Sequence, residues 1–513
     1  MKRLFSLMLL MSAVLSVHAQ MNPHLDRYEV VGRNLVDNCD ITAFKEIFDN
    51  EIYRTVFDSI SNTALVTLWK RPDSENLKNS DYNSTIVYYD LAKQTVKWEK
   101  NVNLKNDVLE KMGTYIYHEK NDHSYLLDPE TGKSKFKFEK NLHTVLFGAE
   151  EGWILCATYN DLFGHYGSVQ KINLNTGELI WKKEANLDYG LKAHGILHDS
   201  TVLFVGAGLR GVNVNKGSMW TLDIKTDESG YIDYKKKLYV GVYSNVLKED
   251  STAMYFAGGD RIVKLNVDGS LVWQYEFPSD MMSKSHIGLS KGYLVLVNHG
   301  FTYGSNYLVP IGEPFFSVFD RNTGARRYVC NCNKYTDFII DAIEDDGYLY
   351  MLFQNKHSEQ MISKFRMIDG MMIAKYILKA GEENFMGFVN SDIYVKRDSA
   401  FVRLNSIDTT DLCMYNKNGV VLFDQRLQPK GTFKEDDLYF YKDEYGGLRL
   451  FQHQDKIVLF DANDREVATL DFEKVLVAES ELYSIKGNAL YVMNKAQIPF
   501  VKEENETTEE SDK

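Results

Sequence analysis

The sequence is poor in cysteine, in proline and in uninterrupted apolar segments, and each shortage excludes a class of protein. Five cysteines among 513 residues are too few for a disulfide-rich scaffold. After residue 19 no stretch approaches the length of a transmembrane helix, so no membrane span is predicted there. Eight prolines are few, which suits many uninterrupted strands. A sustained helical apolar period is also lacking, so we expect few helices.

Two cysteines, Cys330 and Cys332, flank one residue on a predicted strand, and their side chains should therefore point to the same face. A redox or metal site would favour two intervening residues on a loop. We interpret the five cysteines as inert thiols or as containing one structural bridge.

Clusters of basic residues are also lacking. The net charge is −13, and an acidic chain without a basic block repels phosphate, so we expect no nucleic-acid partner. The longest charge run is the acidic tail at residues 498–513, which is typical of a disordered end.

The N-terminus has the pattern of a secretory signal. Lys2 and Arg3 precede an apolar run that ends at Val17, and Ala19 stands directly before a predicted cleavage site at Gln20. Loss of residues 1–19 would remove two bases and no acids, which changes the net charge from −13 to −15. An uncleaved anchor is the alternative. We expect an exported, monomeric protein, in the periplasm or outside the cell.

An internal repeat is the strongest positive signal. Each unit has an alternating strand, an Asp or Asn, a turn closed by Gly, and a second strand with an aromatic residue. The clear copies are Ser124–Phe138, Val169–Trp181, Ile262–Trp273 and Phe316–Tyr328, and the weaker ones centre on Asp90, Asp223, Arg366, Asn416 and Asp461. The spacing of these centres predicts one four-stranded antiparallel sheet per repeat.

The residue types in the repeat have separate physical roles. The Asp or Asn side chain caps the turn, and Gly supplies the positive φ that closes it. The aromatic residue on the outgoing strand packs against a neighbouring sheet. We therefore expect Trp98, Trp181 and Trp273 between sheets as structural residues.

The repeat resembles that of quinoprotein-type β-propellers, a family that includes quinone-dependent alcohol dehydrogenases and the non-catalytic propeller of the outer-membrane-protein assembly machine. The resemblance implies an all-β fold, a single large β-propeller of about eight four-stranded antiparallel blades, with seven to ten open. We predict the propeller at residues 50–497. The segment 20–49 is predicted to close the ring, with Arg27–Val31 as the strand that completes the last sheet.

The residues do not support the enzymatic branch of that family. The sequence has no adjacent cysteine pair and no calcium-binding loop, so we expect no quinone, no other cofactor and no metal. Gly206–Gly211 matches a dinucleotide fingerprint, but no helix start follows, and we interpret it as an inter-strand loop. His194 and His198 have the spacing of a helical zinc site, but Gly195 argues against a helix there.

Long loops are the main functional clue. Connections between the second and third strands of a blade emerge on one face, and four are predicted to be long: 70–84, 159–167, 206–217 and 298–314. Aromatic and Arg side chains are favoured at protein interfaces and on sugar-stacking surfaces. The candidate binding residues in these loops are Trp69, Arg71, Phe163, His165, Tyr166, Arg210, Phe301, Tyr303, Tyr307 and Glu313.

Three functions remain open from the sequence. The first is a non-enzymatic scaffold that binds an envelope protein. The second is a propeller that binds or cleaves an extracellular glycan, and the third is a quinone-dependent dehydrogenase.

Overall fold

The computed structural model describes residues 27–498 with interruptions, of which the longest are 160–165, 188–195, 224–243 and 379–384. The predicted signal segment and the acidic tail beyond Ile498 therefore lie outside the described residues. Within this part of the chain the regular elements are strands and short 3-10 turns at Asn79–Tyr82, Leu404–Ser406, Glu435–Asp437 and Lys495–Gln497. No helix in the described residues is long and apolar enough to cross a membrane.

The described strands form eight four-stranded antiparallel sheets and one eleven-stranded sheet that contains two further four-stranded units, and we call these ten units blades 1 to 10. The chain begins with two strands, β1 (Tyr28–Asn34) and β2 (Cys39–Ile47). Blades 1 to 3 follow as β3 (Ile52–Asp58), β4 (Thr63–Leu68), β5 (Asn83–Asp90), β6 (Thr95–Asn103); β7 (Asp107–Met112), β8 (Tyr115–Lys120), β9 (His123–Leu127), β10 (Ser134–Lys140); and β11 (Leu142–Gly148), β12 (Trp153–Tyr159), β13 (Tyr166–Asn173), β14 (Leu179–Leu187).

Blades 4 to 6 repeat the same order, and blade 6 carries an extra hairpin between its second and third strands. They consist of β15 (Ile196–His198), β16 (Thr201–Val205), β17 (Gly208–Asn213), β18 (Met219–Asp223); β19 (Leu247–Lys248), β20 (Ala253–Gly258), β21 (Arg261–Asn266), β22 (Leu271–Glu276); and β23 (Ser285–Ser290), β24 (Tyr293–Asn298), β27 (Phe315–Asp320), β28 (Arg326–Asn331), with the hairpin β25 (Phe301–Tyr303) and β26 (Leu308–Pro310).

Blades 7 to 10 complete the set, and blade 8 carries a hairpin between its first and second strands. They consist of β29 (Phe338–Asp345), β30 (Tyr348–Gln354), β31 (Gln360–Arg366), β32 (Met371–Ile377); β33 (Phe385–Phe388), β36 (Leu412–Asn416), β37 (Gly419–Phe423), β38 (Pro429–Phe433), with the hairpin β34 (Ile393–Arg397) and β35 (Ala400–Arg403); β39 (Leu438–Tyr445), β40 (Leu448–His453), β41 (Lys456–Phe460), β42 (Glu466–Leu470); and β43 (Val475–Val477), β44 (Glu481–Lys486), β45 (Ala489–Asn494).

The blades close into a ring, because every consecutive pair shares a hydrophobic cluster. Blades 1 and 2 share the cluster around Trp98 and Ile116, and blades 5 and 6 the one around Trp273 and Phe319. The other pairs from blade 2 to blade 10 have equivalent clusters. Blade 10 packs against blade 1 through Tyr483, which stacks on Phe57 with ring centroids 5.1 Å apart. The molecule is a β-propeller, and ten blades lie at the upper end of the range that the repeat allows.

The fourth strand of blade 10 comes from the N-terminus. Strand β2 pairs with β45, from Ala43 opposite Met493 to Ile47 opposite Ala489. Strand β1 pairs with β2 and with β42 of blade 9. The strand beginning near Arg27 thus lies between blades 9 and 10, and the following strand completes the last blade. The sequence division at residues 49 and 50 stays a prediction.

The repeated turn joins each blade to the next. In blade 2 the Asp128 carboxylate accepts the backbone N–H groups of Glu130 and Thr131 at 3.0 and 2.8 Å. The indole of Trp98 in blade 1 donates from Nε1 to the carbonyl of Pro129 in this turn at 2.9 Å. Gly132, with φ of +65°, lies under the same indole. The Asx–Gly turn therefore presents a carbonyl and a flat surface on which the preceding blade's aromatic ring rests.

The same contact recurs around the ring. Trp181 donates to Val214 at 3.0 Å, Trp220 to Val267 at 3.1 Å and Trp273 to Arg321 at 3.1 Å, each in the next blade. Trp98 and Trp273 are buried as expected, whereas Trp181 is half-buried.

A comparison of two glycines distinguishes the cost of backbone strain from the cost of displacing the aromatic ring that packs on the turn. Gly269 and Gly292 have φ of +84° and +83°. A Cβ at Gly269 would lie 2.2 Å from Trp220 Cδ2, whereas a Cβ at Gly292 would meet nothing within 4 Å. We expect Gly292→Ala to cost about 1–2 kcal/mol of unfolding free energy. Gly269→Ala should cost about 1–3 kcal/mol more, because the indole must move. Urea unfolding of both variants measures this difference, and equal costs would contradict the ring contact.

Two predicted turn centres were wrong. In blade 4 the turn lies at Asn213, whose side chain accepts the N–H groups of Asn215 and Lys216, while Asp223 ends the outgoing strand. In blade 8 the turn lies at Asp424, and Asn416 ends the second strand. The blade 8 turn has Leu427 at φ of +56° in place of a glycine, so the sequence pattern did not reveal it.

Candidate functional site

One face of the ring carries the second-to-third strand connections and the links between blades. We call it the long-loop face. Two of the four connections predicted to be long reach it as expected: residues 69–82 in blade 1, and 299–314 in blade 6 with the hairpin β25–β26. The connection after Tyr159 falls mostly on residues 160–165, outside the described part.

The prediction of a long loop at 206–217 was wrong. Residues Gly208–Asn213 form strand β17, which pairs with β16 and β18. Arg210 therefore lies within a blade, where its guanidinium donates to the Leu222 carbonyl at 3.5 Å. The glycine pattern that suggested a loop instead allows close packing, since a Cβ at Gly211 would lie 2.1 Å from the Trp220 ring.

The connection between the first and second strands of blade 8 is long. Its insertion carries the hairpin β34–β35, and β34 pairs with β39 of blade 9. Phe401 packs in a cluster with Phe451 and Phe460. The hairpin β34–β35 therefore packs against blade 9.

Trp69 packs within its own loop, whereas Phe301 packs against the neighbouring blade 7. Trp69 is 8% exposed, donates from Nε1 to the Asp81 carbonyl at 2.8 Å and stacks on Tyr82 at 6.1 Å. Phe301 is 1% exposed and contacts the Phe338 ring edge-on at 5.9 Å. Both side chains hold their loops in place.

Glu313 is half-buried, and its carboxylate accepts a hydrogen bond from the side-chain amide of Asn331 at 2.8 Å. Tyr166 begins β13 and Tyr303 ends β25, but their side chains are not among those described. Arg71, Phe163, His165 and Tyr307 lie outside the described residues. Trp69 belongs to blade 1, and Phe301 and Glu313 belong to blade 6, with four blades between them. These candidates share a face and do not converge on one site.

A cleft opens on the long-loop face between blades 1 and 2, with a volume of about 590 Å³. Its position follows from the ends of the strands that line it: the ends of β4, β6 and β8 and the starts of β5 and β7. The apolar part of the wall consists of Leu68, Trp69 and Val102. The polar part consists of amides and hydroxyls, with one carboxylate and one ammonium: Asn50, Asn83, Ser84, Thr85, Asn101, Asn103, Asp107 and Lys120.

The link between the two blades shapes one side of this cleft. Asn103 ends β6 and Asp107 begins β7, and the Asn103 N–H donates to Asp107 Oδ2 at 3.0 Å. The Asn103 amide donates to the Asn79 carbonyl at 2.8 Å and to Asn83 Oδ1 at 3.0 Å. On the adjacent strands β5 and β6 of blade 1, Thr85 donates to Asn101 Oδ1 at 3.2 Å. These bonds fix the orientation of several amides at the cleft wall.

Asp107 also faces His118 on the next strand. His118 Nε2 lies 3.8 Å from Asp107 Oδ1, and the two side chains are 4% and 3% exposed. Lys120 Nζ lies 3.9 Å from Asp107 Oδ2. Burial, reinforced by the ammonium groups of Lys100 and Lys120 and opposed by Asp107, lowers the pKa of His118 to about 4. The imidazole is therefore neutral at pH 7. Sequence reasoning missed this pair because no motif connects the two positions.

A second buried histidine anchors the loop of blade 6. His299 Nδ1 donates to the Ile339 carbonyl of blade 7 at 2.6 Å, and burial lowers the pKa of His299 to about 4. The bond ties the start of the 299–314 connection to the neighbouring blade.

This histidine makes stability depend on pH. Its folded pKa of about 4 lies below the ordinary value of 6.5, so the unfolded chain binds the proton first as the pH falls. The contribution of the neutral His299 to the free energy of unfolding is complete above pH 6.5. It is lost as the pH falls towards 4, by up to about 1.4 kcal/mol per pH unit. We expect His299→Asn to flatten the pH dependence of the unfolding free energy, measured by urea titration. The exposed His357→Asn should leave it unchanged, and equal slopes in the two variants would contradict the assignment.

The histidines of the suggested zinc spacing do not support a metal site. His198 ends β15, and its Nε2 contacts the Ala253 carbonyl of blade 5 at 3.1 Å. His194 lies outside the described residues. In the described part of the chain, no three His, Cys, Asp or Glu side chains are grouped as metal ligands. All five cysteines are free thiols.

No family model and no curated protein matches the chain. Among solved structures, the computationally designed Ika8 protein is similar with a TM-score of 0.32 and 9% identity, over 69% of this chain and 96% of that one. Hsv2 from Kluyvelomyces marxianus has a TM-score of 0.28 and 11% identity, over 64% and 97%. The Cps50 (Swd1) β-propeller domain from Myceliophteria thermophila has a TM-score of 0.26 and 10% identity, over 73% and 96%.

Proposed function

We propose that the protein is an exported, non-enzymatic binding module that holds an envelope protein on its long-loop face. The observation that carries this proposal is the anchoring of the base of the blade 6 hairpin on that face. The base is held by Phe301 and His299, and Asn298 donates from Nδ2 to the Met281 and Glu313 carbonyls at 2.9 and 2.6 Å. An anchored base reduces the entropy that a loop loses on binding, which favours recognition by this element.

Export rests on the pattern of residues 1–19. We expect the mature protein to begin at Gln20 and to be a monomer. Mass spectrometry of the protein from the native envelope fraction tests the cleavage, and a chain that begins at Met1 would contradict it.

Membership of the quinoprotein-type repeat family is part of the same proposal. Its support is the Asx-x-x-Thr-Gly turn with a following aromatic residue, as at Asp128, Asn173 and Asp320. The sequence has neither an adjacent cysteine pair nor a calcium-binding loop, so the proposal takes the non-catalytic branch.

The test uses the mature protein as bait for envelope proteins, beside a variant in which residues 303–308 are replaced by Asn-Gly. Thr302 pairs with Val309, so a two-residue turn between them preserves the base of the hairpin. We expect the variant to fold with an unchanged melting temperature and to lose the partner. The control is a Gly-Ser insertion between Lys291 and Gly292, in the opposite-rim turn of the same blade, which should keep the partner. Loss of the partner in the control, or retention in the hairpin variant, would contradict the proposal.

A further inference from the structure

Cys330 and Cys332 lie on the long-loop face, where blade 6 ends and the link to blade 7 begins. Cys330 is the penultimate residue of β28, and Cys332 is the first residue after this strand. The Cys332 N–H donates to the Pro314 carbonyl at 2.9 Å, and the Cys332 carbonyl accepts the N–H groups of Tyr335 and Thr336 at 2.8 and 3.1 Å. These bonds fix the backbone of Cys332 at the end of the strand.

The side chain of Cys332 turns back towards Cys330. The Cys332 thiol lies 3.6 Å from the Cys330 carbonyl, to which it donates. Hydrogen bonding by the same thiol lowers the pKa of Cys330, an effect opposed by burial and reinforced by the Lys334 ammonium group. Hydrogen bonding to Cys330, together with burial, raises the pKa of Cys332. Cys330 is therefore the thiol of the pair that loses its proton first.

The two thiols differ in access to solvent. Cys332 is fully buried in the cluster between blades 6 and 7, whereas Cys330 is only partly buried. A solvent-borne reagent can therefore reach Cys330 and not Cys332. An accessible thiol of lowered pKa beside a second thiol is the arrangement of a reactive cysteine and the cysteine that resolves its products. The other cysteines lie in blades 10, 3 and 8: Cys39, Cys156 and Cys413.

We propose that Cys330 and Cys332 form an oxidisable dithiol whose substrate is a disulfide, written here as RSSR. The Cys330 thiolate attacks one sulfur of RSSR, which forms a mixed disulfide and releases RS⁻. Cys332 then loses its proton and attacks the Cys330 sulfur, which closes the Cys330–Cys332 bond and releases the second RS⁻. The two cysteines lose two electrons and two protons, and RSSR becomes two molecules of RSH.

This reaction is independent of the protein partner proposed above, because it requires only the two cysteines and a disulfide. The export proposed above would place the pair in an oxidising compartment, where disulfides form and persist. The reaction itself can be measured on the purified protein, whether or not that proposal holds.

The test incubates the reduced mature protein with oxidised glutathione. After an acid quench, the remaining thiols are blocked with N-ethylmaleimide in denaturant. Trypsin then releases the peptide Tyr328–Lys334, which contains both cysteines of the pair and no other. We expect mass spectrometry to find this peptide without N-ethylmaleimide or glutathione, and two hydrogen atoms lighter than its reduced form. The exposed Cys39 in blade 10 should carry glutathione.

Three variants separate the roles of the two thiols. Cys332→Ala should stop the reaction at the mixed disulfide between Cys330 and glutathione. Cys330→Ala should leave the buried Cys332 unmodified. Cys413→Ala removes a buried thiol of blade 8 and is the matched control, in which the Cys330–Cys332 disulfide should form as before.

Two results with the unsubstituted protein would overturn the proposal: recovery of both cysteines with N-ethylmaleimide, or a peptide that keeps glutathione on Cys330. Because both are read from the unsubstituted protein, the test does not depend on the folding of any variant.

Discussion

Phe44→Ala should lower the free energy of unfolding by about 3–5 kcal/mol. Phe44 is 3% exposed and lies on β2, where it packs with Tyr483 and Leu490 of blade 10 and with Ala64 of blade 1. Its removal leaves a cavity at the junction where the two ends of the chain meet. Because the ring is closed there by β2, we expect the loss to affect the cooperativity of the whole ring. Thermal and urea unfolding of the Phe44→Ala variant and of the unsubstituted protein measure this loss of stability.

Ile47→Ala on the same strand is the matched control. Ile47 is 59% exposed, so its truncation should change stability by no more than about 0.5 kcal/mol. A small effect of Phe44→Ala, comparable to that of the control, would contradict the closure of the ring by this strand.

Trp273→Ala should have an effect of similar size, about 3–5 kcal/mol. Its ring is 8% exposed, stacks on Phe319 at 6.4 Å and covers Gly324 of the next blade. Its Nε1 bond to the Arg321 carbonyl contributes about 1 kcal/mol of this loss. The same truncation at the half-buried Trp181 should cost less.

Leu271→Ala serves as the control on strand β22, because Leu271 is 50% exposed. We expect it to unfold like the unsubstituted protein in urea. If Trp273→Ala matched Leu271→Ala, the indole would not join blades 5 and 6.

The architecture was largely predictable because its signal is local and repeated. An Asp or Asn, a glycine and an aromatic residue recur in short stretches such as Asp320–Tyr328, and each member has a local role in the turn. The prediction of the turn failed in blade 8, where Leu427 stands in place of the glycine, and in blade 4, where the turn at Asn213 was missed although Gly217 closes it. Blade number was harder, because the last blade combines strands from both ends of the chain.

Loop lengths in the sequence indicated one face of the ring as the candidate binding face, through the connections 69–82 and 299–314, but they could not sort the aromatic residues of these loops into exposed and buried. Trp69 is buried because it packs beneath its own loop, and Phe301 because it packs against Phe338 of blade 7. The cleft depends on how blades 1 and 2 pack together, which no single repeat contains.

The most direct test of binding on the long-loop face is hydrogen–deuterium exchange of the mature protein with and without its bound protein partner. The account predicts slower exchange in the 299–314 connection when the partner is bound. The opposite-rim turns Asp128–Gly132, Asn173–Gly177 and Asp320–Gly324 should be unchanged. Protection confined to those turns would contradict the account.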